Sequence, residues 1–162
     1  MHSKIFQITT KRLEESRFLN EFTLEQGQFC VYDYCKWISQ TEREIQIDNL
    51  VMYALPKGMF RRISEDEIMY NGGIEQWSKE FADRIKETVT KITAENVIDP
   101  CCPAVAELIH LINNPLDTDY NFYLHEECKE PYAVESLEFM QFVSQLEPGT
   151  ILYIGGVIDY HF

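Results

Sequence analysis

Apolar residues recur at two different spacings along this chain, and each change of spacing marks a change of element. Lys4 to Thr10 (KIFQITT) is rich in branched and aromatic side chains and predicts a first strand. Thr41 and Glu44 fit a capping box, and beyond it Ile47, Leu50, Val51, Ala54 and Leu55 form one helical stripe that Pro56 and Gly58 end. MFRRIS and EIMYNG flank an acidic turn, Ser64 to Glu67, and predict a β-hairpin.

After Asn71-Gly72-Gly73 a long helix follows, with Trp77, Phe81, Ile85, Val89 and Ile92 on one face and mostly charged residues on the other. A helical turn or two at Ala94 to Val97 leads to a helix with Pro103 in its first turn. Val105, Leu108, Ile109 and Ile112 are its expected inner face. DYNFYLHEE reads as a strand. Ala133 to Leu146 reads as a helix with Phe139, Phe142, Val143 and Leu146 inward. Residues 11 to 40 show no single period. Leu13 to Leu24 fits a helix or an irregular turn, and QFCVYDYCKWIS stays open between helix and strand.

The last segment, ILYIGGVIDYHF, sets two apolar runs on either side of two glycines. That spacing predicts a two-residue hairpin turn, with one long strand carrying a glycine bulge as the alternative. In either case Val157, Asp159 and His161 alternate with Ile158, Tyr160 and Phe162. The second set is large and apolar and is expected to face the core. Asp159 and His161 are then polar positions pointing outward or toward a covering helix, neighbours at i and i+2 rather than a hydrogen-bonded pair.

Helices and strands in irregular order, joined in part by tight hairpins, predict an α+β fold. We expect a single domain over residues 1–162, with a mainly antiparallel sheet of about five or six strands packed against three or four helices. Gly72-Gly73 and Gly155-Gly156 lack the other positions of a dinucleotide or phosphate loop, so no cofactor is expected.

Charge narrows the class of partner. Fourteen basic against 27 acidic side chains leave a net charge of −13, a field that repels phosphate backbones and anionic lipid. Direct binding to nucleic acid or membrane is therefore not expected. An acidic surface that imitates nucleic acid is a minor alternative to plain solubility. The first residues lack the apolar stretch of a secretion signal, and five cysteines are an odd set for a disulfide framework. Reduced thiols in the cytoplasm are the expectation.

Candidate chemistry is sparse. His125 and Cys128 in LHEEC have a spacing that two metal ligands can use, and Cys101, Cys102 or His161 could complete a set, with zinc the metal that such ligands suit. No second paired motif exists, so no metal is expected. Cys102, before Pro103 at a helix start, is the most credible nucleophile among the cysteines. His125, Asp159 and His161 are the other catalytic candidates, and Glu126, Glu127, Glu130, Glu135 and Glu138 read as a solvated acidic stretch. Phe29, Tyr32, Tyr34 and Trp37 put four aromatics within nine residues, the candidate binding surface. The expectation is a small acidic binding or regulatory protein that works through protein contacts, with self-association possible. The alternative is a hydrolase or transferase that uses a Cys/His/Asp group, with or without zinc.

Overall fold

A computed structural model describes residues 2–161. Among them are six strands in one mostly antiparallel sheet and four α-helices, which makes the fold α+β. In chain order the elements are β1 (His2–Thr9), β2 (Tyr34–Trp37), α1 (Gln40–Asn49), β3 (Phe60–Arg62), β4 (Glu67–Tyr70), α2 (Ile74–Thr90), α3 (Pro103–Asn113), β5 (Asn121–Tyr123), α4 (Ser136–Val143) and β6 (Ile151–His161). The strand order is β3-β4-β6-β1-β5, with β1 and β5 parallel, and β2 pairs with β6 on the edge that β4 also uses.

The hairpin expected at Gly155-Gly156 is not formed, because β6 runs unbroken through both glycines. Phe6 stands opposite Val157 and Ile8 opposite Ile154, so Gln7 faces two residues and the strand carries a bulge. The cause lies across the sheet. The Gln7 carboxamide oxygen accepts from Leu19 N (2.8 Å) and Gly156 N (3.0 Å), while its nitrogen donates to the carbonyls of Arg17 and His125. A Cβ at Gly155 would collide with this amide, and one at Gly156 would fall on the Leu19 backbone. Both glycines are there for close approach.

The bulge also resets which side chains share a face. Ile154 and Val157, three apart, both enter the first core with Phe6, Ile8, Leu152 and Ile68. Helices α1 and α4 cover this face, through Ile47, Phe139, Met140 and Val143 among others. Ile158 and Tyr160 enter a second core on the opposite face, with Ile5, Tyr123, Leu19, Leu24 and Tyr32. Phe162, expected beside them, lies outside the described residues.

The chain over 13–33 lies across this second face, with only a short 3-10 turn at Glu15–Arg17 and an isolated bridge between Gln26 and Tyr32. Between β4 and β2 the edge of β6 has no strand partner among the described residues. There the Arg43 guanidinium donates to Ile154 O (2.6 Å) and Gly155 O (2.9 Å) and satisfies the bare carbonyls.

Helix α1 begins two residues earlier than the sequence pattern suggests. Ser39, not Thr41, is the cap, and its hydroxyl accepts from Glu42 N at 3.2 Å. Its last turn widens into a π-helix at Leu50–Ala54. Helices α2 and α3 pack mainly on each other, and the only buried residue of α2 is Thr88.

Candidate functional site

At the His2 end of the sheet three strands bring polar side chains into register. The Cα partners are His2, His161 and Tyr34 in one row, and Lys4, Asp159 and Lys36 in the next. Asp159 is not a solvent-facing bystander: it is only 9% exposed. Its carboxylate accepts from Lys4 Nζ at 2.6 Å and pairs with His2 Nδ1 at 2.8 Å. Lys4 reaches on to Glu42 of α1 at 3.4 Å. Burial alone would lower the Lys4 pKa, but the hydrogen bonds and charges of Asp159 and Glu42 outweigh it and leave it raised.

Tyr34 Oη lies 3.1 Å from His2 Nε2, and its ring stacks on His161 at 5.3 Å between centroids. His161 Nδ1 in turn meets the Asp33 carboxylate at 2.9 Å. Carboxylate, imidazole and hydroxyl therefore follow one another from Asp159 through His2 to Tyr34, the order found in a catalytic triad. Clefts of about 490 and 300 Å³ lie on either side of His2 and Lys4, and Tyr34 lines neither. The hydroxyl at the end of the relay thus stands outside both clefts beside it.

His125 is not part of this group. Tyr123 is in register with Gln7 and Asp159 with Lys4, so His125 sits about five strand residues away, roughly 16 Å. Its ring packs edge-on against Tyr123, and Cys128 donates to the Arg17 carbonyl. Burial raises the Cys128 pKa. Cys102 is buried at the start of α3, and Cys101 beside it is exposed. Among the described residues no group of three or more His, Cys, Asp or Glu side chains is placed to hold a metal ion. Sequence reasoning missed His2 and Lys4, which are the partners Asp159 has. The available signal was the alternation of β1, which puts His2, Lys4, Phe6 and Ile8 on one face.

The four aromatics divide. Tyr32 is buried in the second core, edge-on to Tyr160 at 5.1 Å, so it is a packing residue. Phe29 and Trp37 are 96% and 62% exposed, and Tyr34 is partly so. The same segment adds Phe22, 85% exposed, and Val31. The backbone that carries them is held firmly. The Gln26 side chain accepts from Cys35 N and Glu21 accepts from Trp37 N at 3.1 Å. Those two bonds also occupy outer-edge amides of β2, which closes the edge to an added strand.

No family model matches the chain, and neither a curated protein nor a solved structure matches it. Among the described residues no helix is long and apolar enough to cross a membrane.

Proposed function

We propose that this chain is a small acidic binding protein that acts by presenting the outer side of residues 18–37 to a protein partner. One observation carries the reading: a segment fastened to the core by Tyr32, Gln26 and Glu21 leaves Phe22, Phe29, Val31 and Trp37 outside. Ordering large apolar side chains in water gains nothing unless something covers them. Within the segment Glu21, Glu25 and Asp33 stand against the one base Lys36. The partner therefore offers aromatic or aliphatic side chains ringed by lysine and arginine. Contact is made by side chains, since the β2 edge is closed. Five free thiols, two of them buried, agree with a reducing compartment, the cytoplasm.

The test is a peptide-display selection on the wild-type chain, counter-selected on a Phe29→Ser/Trp37→Ser variant. Peptides combining aromatics with Lys or Arg are expected, with binding lost in the variant at unchanged melting temperature. Peptides that bind both proteins equally, or no enrichment, would overturn the reading. A second reading, hydrolysis or group transfer, is favoured by the Asp159–His2–Tyr34 relay alone. It requires turnover of an activated ester that His2→Ala abolishes.

A further inference from the structure

The one buried residue of α2 is a threonine, and its hydroxyl is unbonded. Thr88 is 4% exposed, yet among the described residues its side chain has no hydrogen-bond partner. No sealed side-chain N or O atom of the described residues lacks a partner, so this oxygen is not sealed in. It reaches the cleft that Thr88 lines, about 330 Å³ between α2 and α3. A hydroxyl left unpaired at a packed helix contact is destabilising unless something meets it.

Facing lines of the two helices build this cleft. On α2, Arg84, Thr88 and Lys91 stand at i, i+4 and i+7; on α3, Glu107, His110 and Leu111 stand at i, i+3 and i+4. Two bonds cross it. Lys91 Nζ donates to Glu107 at 2.8 Å, and Arg84 Nη2 donates to the Pro115 carbonyl at 3.0 Å. Arg84 and Lys91 are about 10 Å apart along the helix, and Thr88 lies between these crossings. Most polar groups around it are already committed. Lys91 and Glu107 hold each other, His110 Nε2 meets Asp117 at 3.0 Å, and the Asn114 amide joins Thr118 and Ser136. Three groups are not. They are the Thr88 hydroxyl, the Nε and Nη1 donors of Arg84, and the carboxylate of Glu87, one turn from Arg84 but not paired with it.

We propose that this cleft binds a free α-amino acid. The uncommitted groups select it. The Arg84 guanidinium takes a carboxylate, and the Thr88 hydroxyl, one turn along, donates to the same group. Glu87 takes the ammonium. Leu111 on the facing helix gives the ligand's side chain an apolar wall. A simple anion would face Glu87, Glu107 and Asp117, and a simple cation would face Arg84 and Lys91. The ligand therefore carries both charges and no net one. The volume lies at the small end of the range for small-molecule sites, about 300–1,000 Å³, and suits one amino acid rather than a peptide. The inference does not rest on the partner reading above, since the cleft shares no residue with the 18–37 surface.

Saturation-transfer NMR on the full chain with the common free amino acids, each at about 5 mM, tests it. The strongest hit is then titrated by calorimetry beside its N-acetyl and its amide derivatives. The expected Kd is about 1 mM or tighter, and blocking either charge should raise it at least about 10-fold. Thr88→Val keeps the side chain's shape and removes only the hydroxyl. Its melting temperature should hold or rise, while the Kd rises at least about 10-fold. Glu87→Gln, at an exposed position, should make the N-acetyl derivative bind as well as its parent. No amino acid bound at that concentration overturns the proposal. So does a hit that both variants bind unchanged, or one whose blocked derivatives bind equally to the wild-type chain. A Thr88→Val chain that melts several degrees lower also overturns it, because the hydroxyl would then be bonded within the fold.

Discussion

One face of the sheet is covered by helices and the other by a chain segment with almost no regular structure, and different forces hold the two covers. On the helical face Ile47, Leu50, Phe139, Met140 and Val143 are fully buried or nearly so, and the contact is apolar and nondirectional. On the other face Leu19, Leu24 and Tyr32 supply some apolar burial. Single polar groups do the fastening: the Gln7 amide on Leu19 N and the Arg17 carbonyl, the Gln26 side chain on Cys35 N and the Glu21 carboxylate on Trp37 N. An apolar cover degrades in proportion to what is removed. A polar one fails at named atoms, because a buried group without its partner costs more than the bond contributed.

The largest expected effect is on the helical face. Phe139→Ala removes a ring stacked on Phe122 at 4.2 Å, and should cost about 3–5 kcal/mol in urea unfolding. Phe81→Ala should cost about half as much, because that ring stacks on Trp77 but is only partly buried. Close to Phe139→Ala in size, and above Phe81→Ala, is Gln7→Leu, which leaves the Leu19 and Gly156 amides without an acceptor, at about 1–3 kcal/mol each. Its signature is regional: hydrogen exchange should accelerate at residues 17–19 while α4 stays protected. Equal acceleration on both faces would erase the distinction between the covers.

A pH experiment sharpens the same contrast. Burial raises the pKa of Tyr32, Tyr123 and Tyr160, and pushes the Cys35 thiol, with help from the Asp159 charge, up to about 11. All four belong to the second core. Each folded pKa lies above the unfolded one, so the unfolded chain holds fewer protons at alkaline pH. The stabilisation is complete below the ordinary values and is lost as pH rises through the folded ones. Melting curves between pH 8 and 11.5 should show a falling midpoint above about 9, with exchange over 17–35 rising before that of α1 or α4. Smallest is the cap: Ser39→Ala should cost about 1 kcal/mol and fray only the start of α1.

Most of the helical face can be read from sequence because period 3.6 is a local property. The helices α2, α3 and α4, the β3–β4 hairpin and the strands β1 and β5 all form in the stretches that the apolar spacing marks, but α4 covers only Ser136–Val143 and β5 only Asn121–Tyr123, and the expected inner face of α3 leaves Ile109 and Ile112 exposed. The cap missed by two residues because Ser39-x-x-Glu42 and Thr41-x-x-Glu44 fit the same pattern, and β2 ending at Trp37 decides between them. The irregular cover has no period to read. Gly155-Gly156 fits a turn or a bulge equally well until Gln7, 149 positions away by number, is known to sit against it. Phe29, Tyr32 and Trp37 look alike in sequence, yet one is core and two are surface. Asp159 likewise gives no local sign that its partners are His2 and Lys4, from the first strand.

The bulged strand β6 has one more consequence, for the making of the protein. It is the common neighbour of β1, β2 and β4, and every one of its residues follows those strands in sequence. Until Ile151–His161 leave the ribosome, β2 has no strand to join, and β1 and β4, which pair otherwise only with β5 and β3, each keep one edge open to solvent and to other chains. Joining β1, β2 and β4 into one sheet therefore waits for β6, and that step is governed by long-range closure, which is slow by nature. A ribosome that stalls before β6 would release a sticky fragment for the proteases.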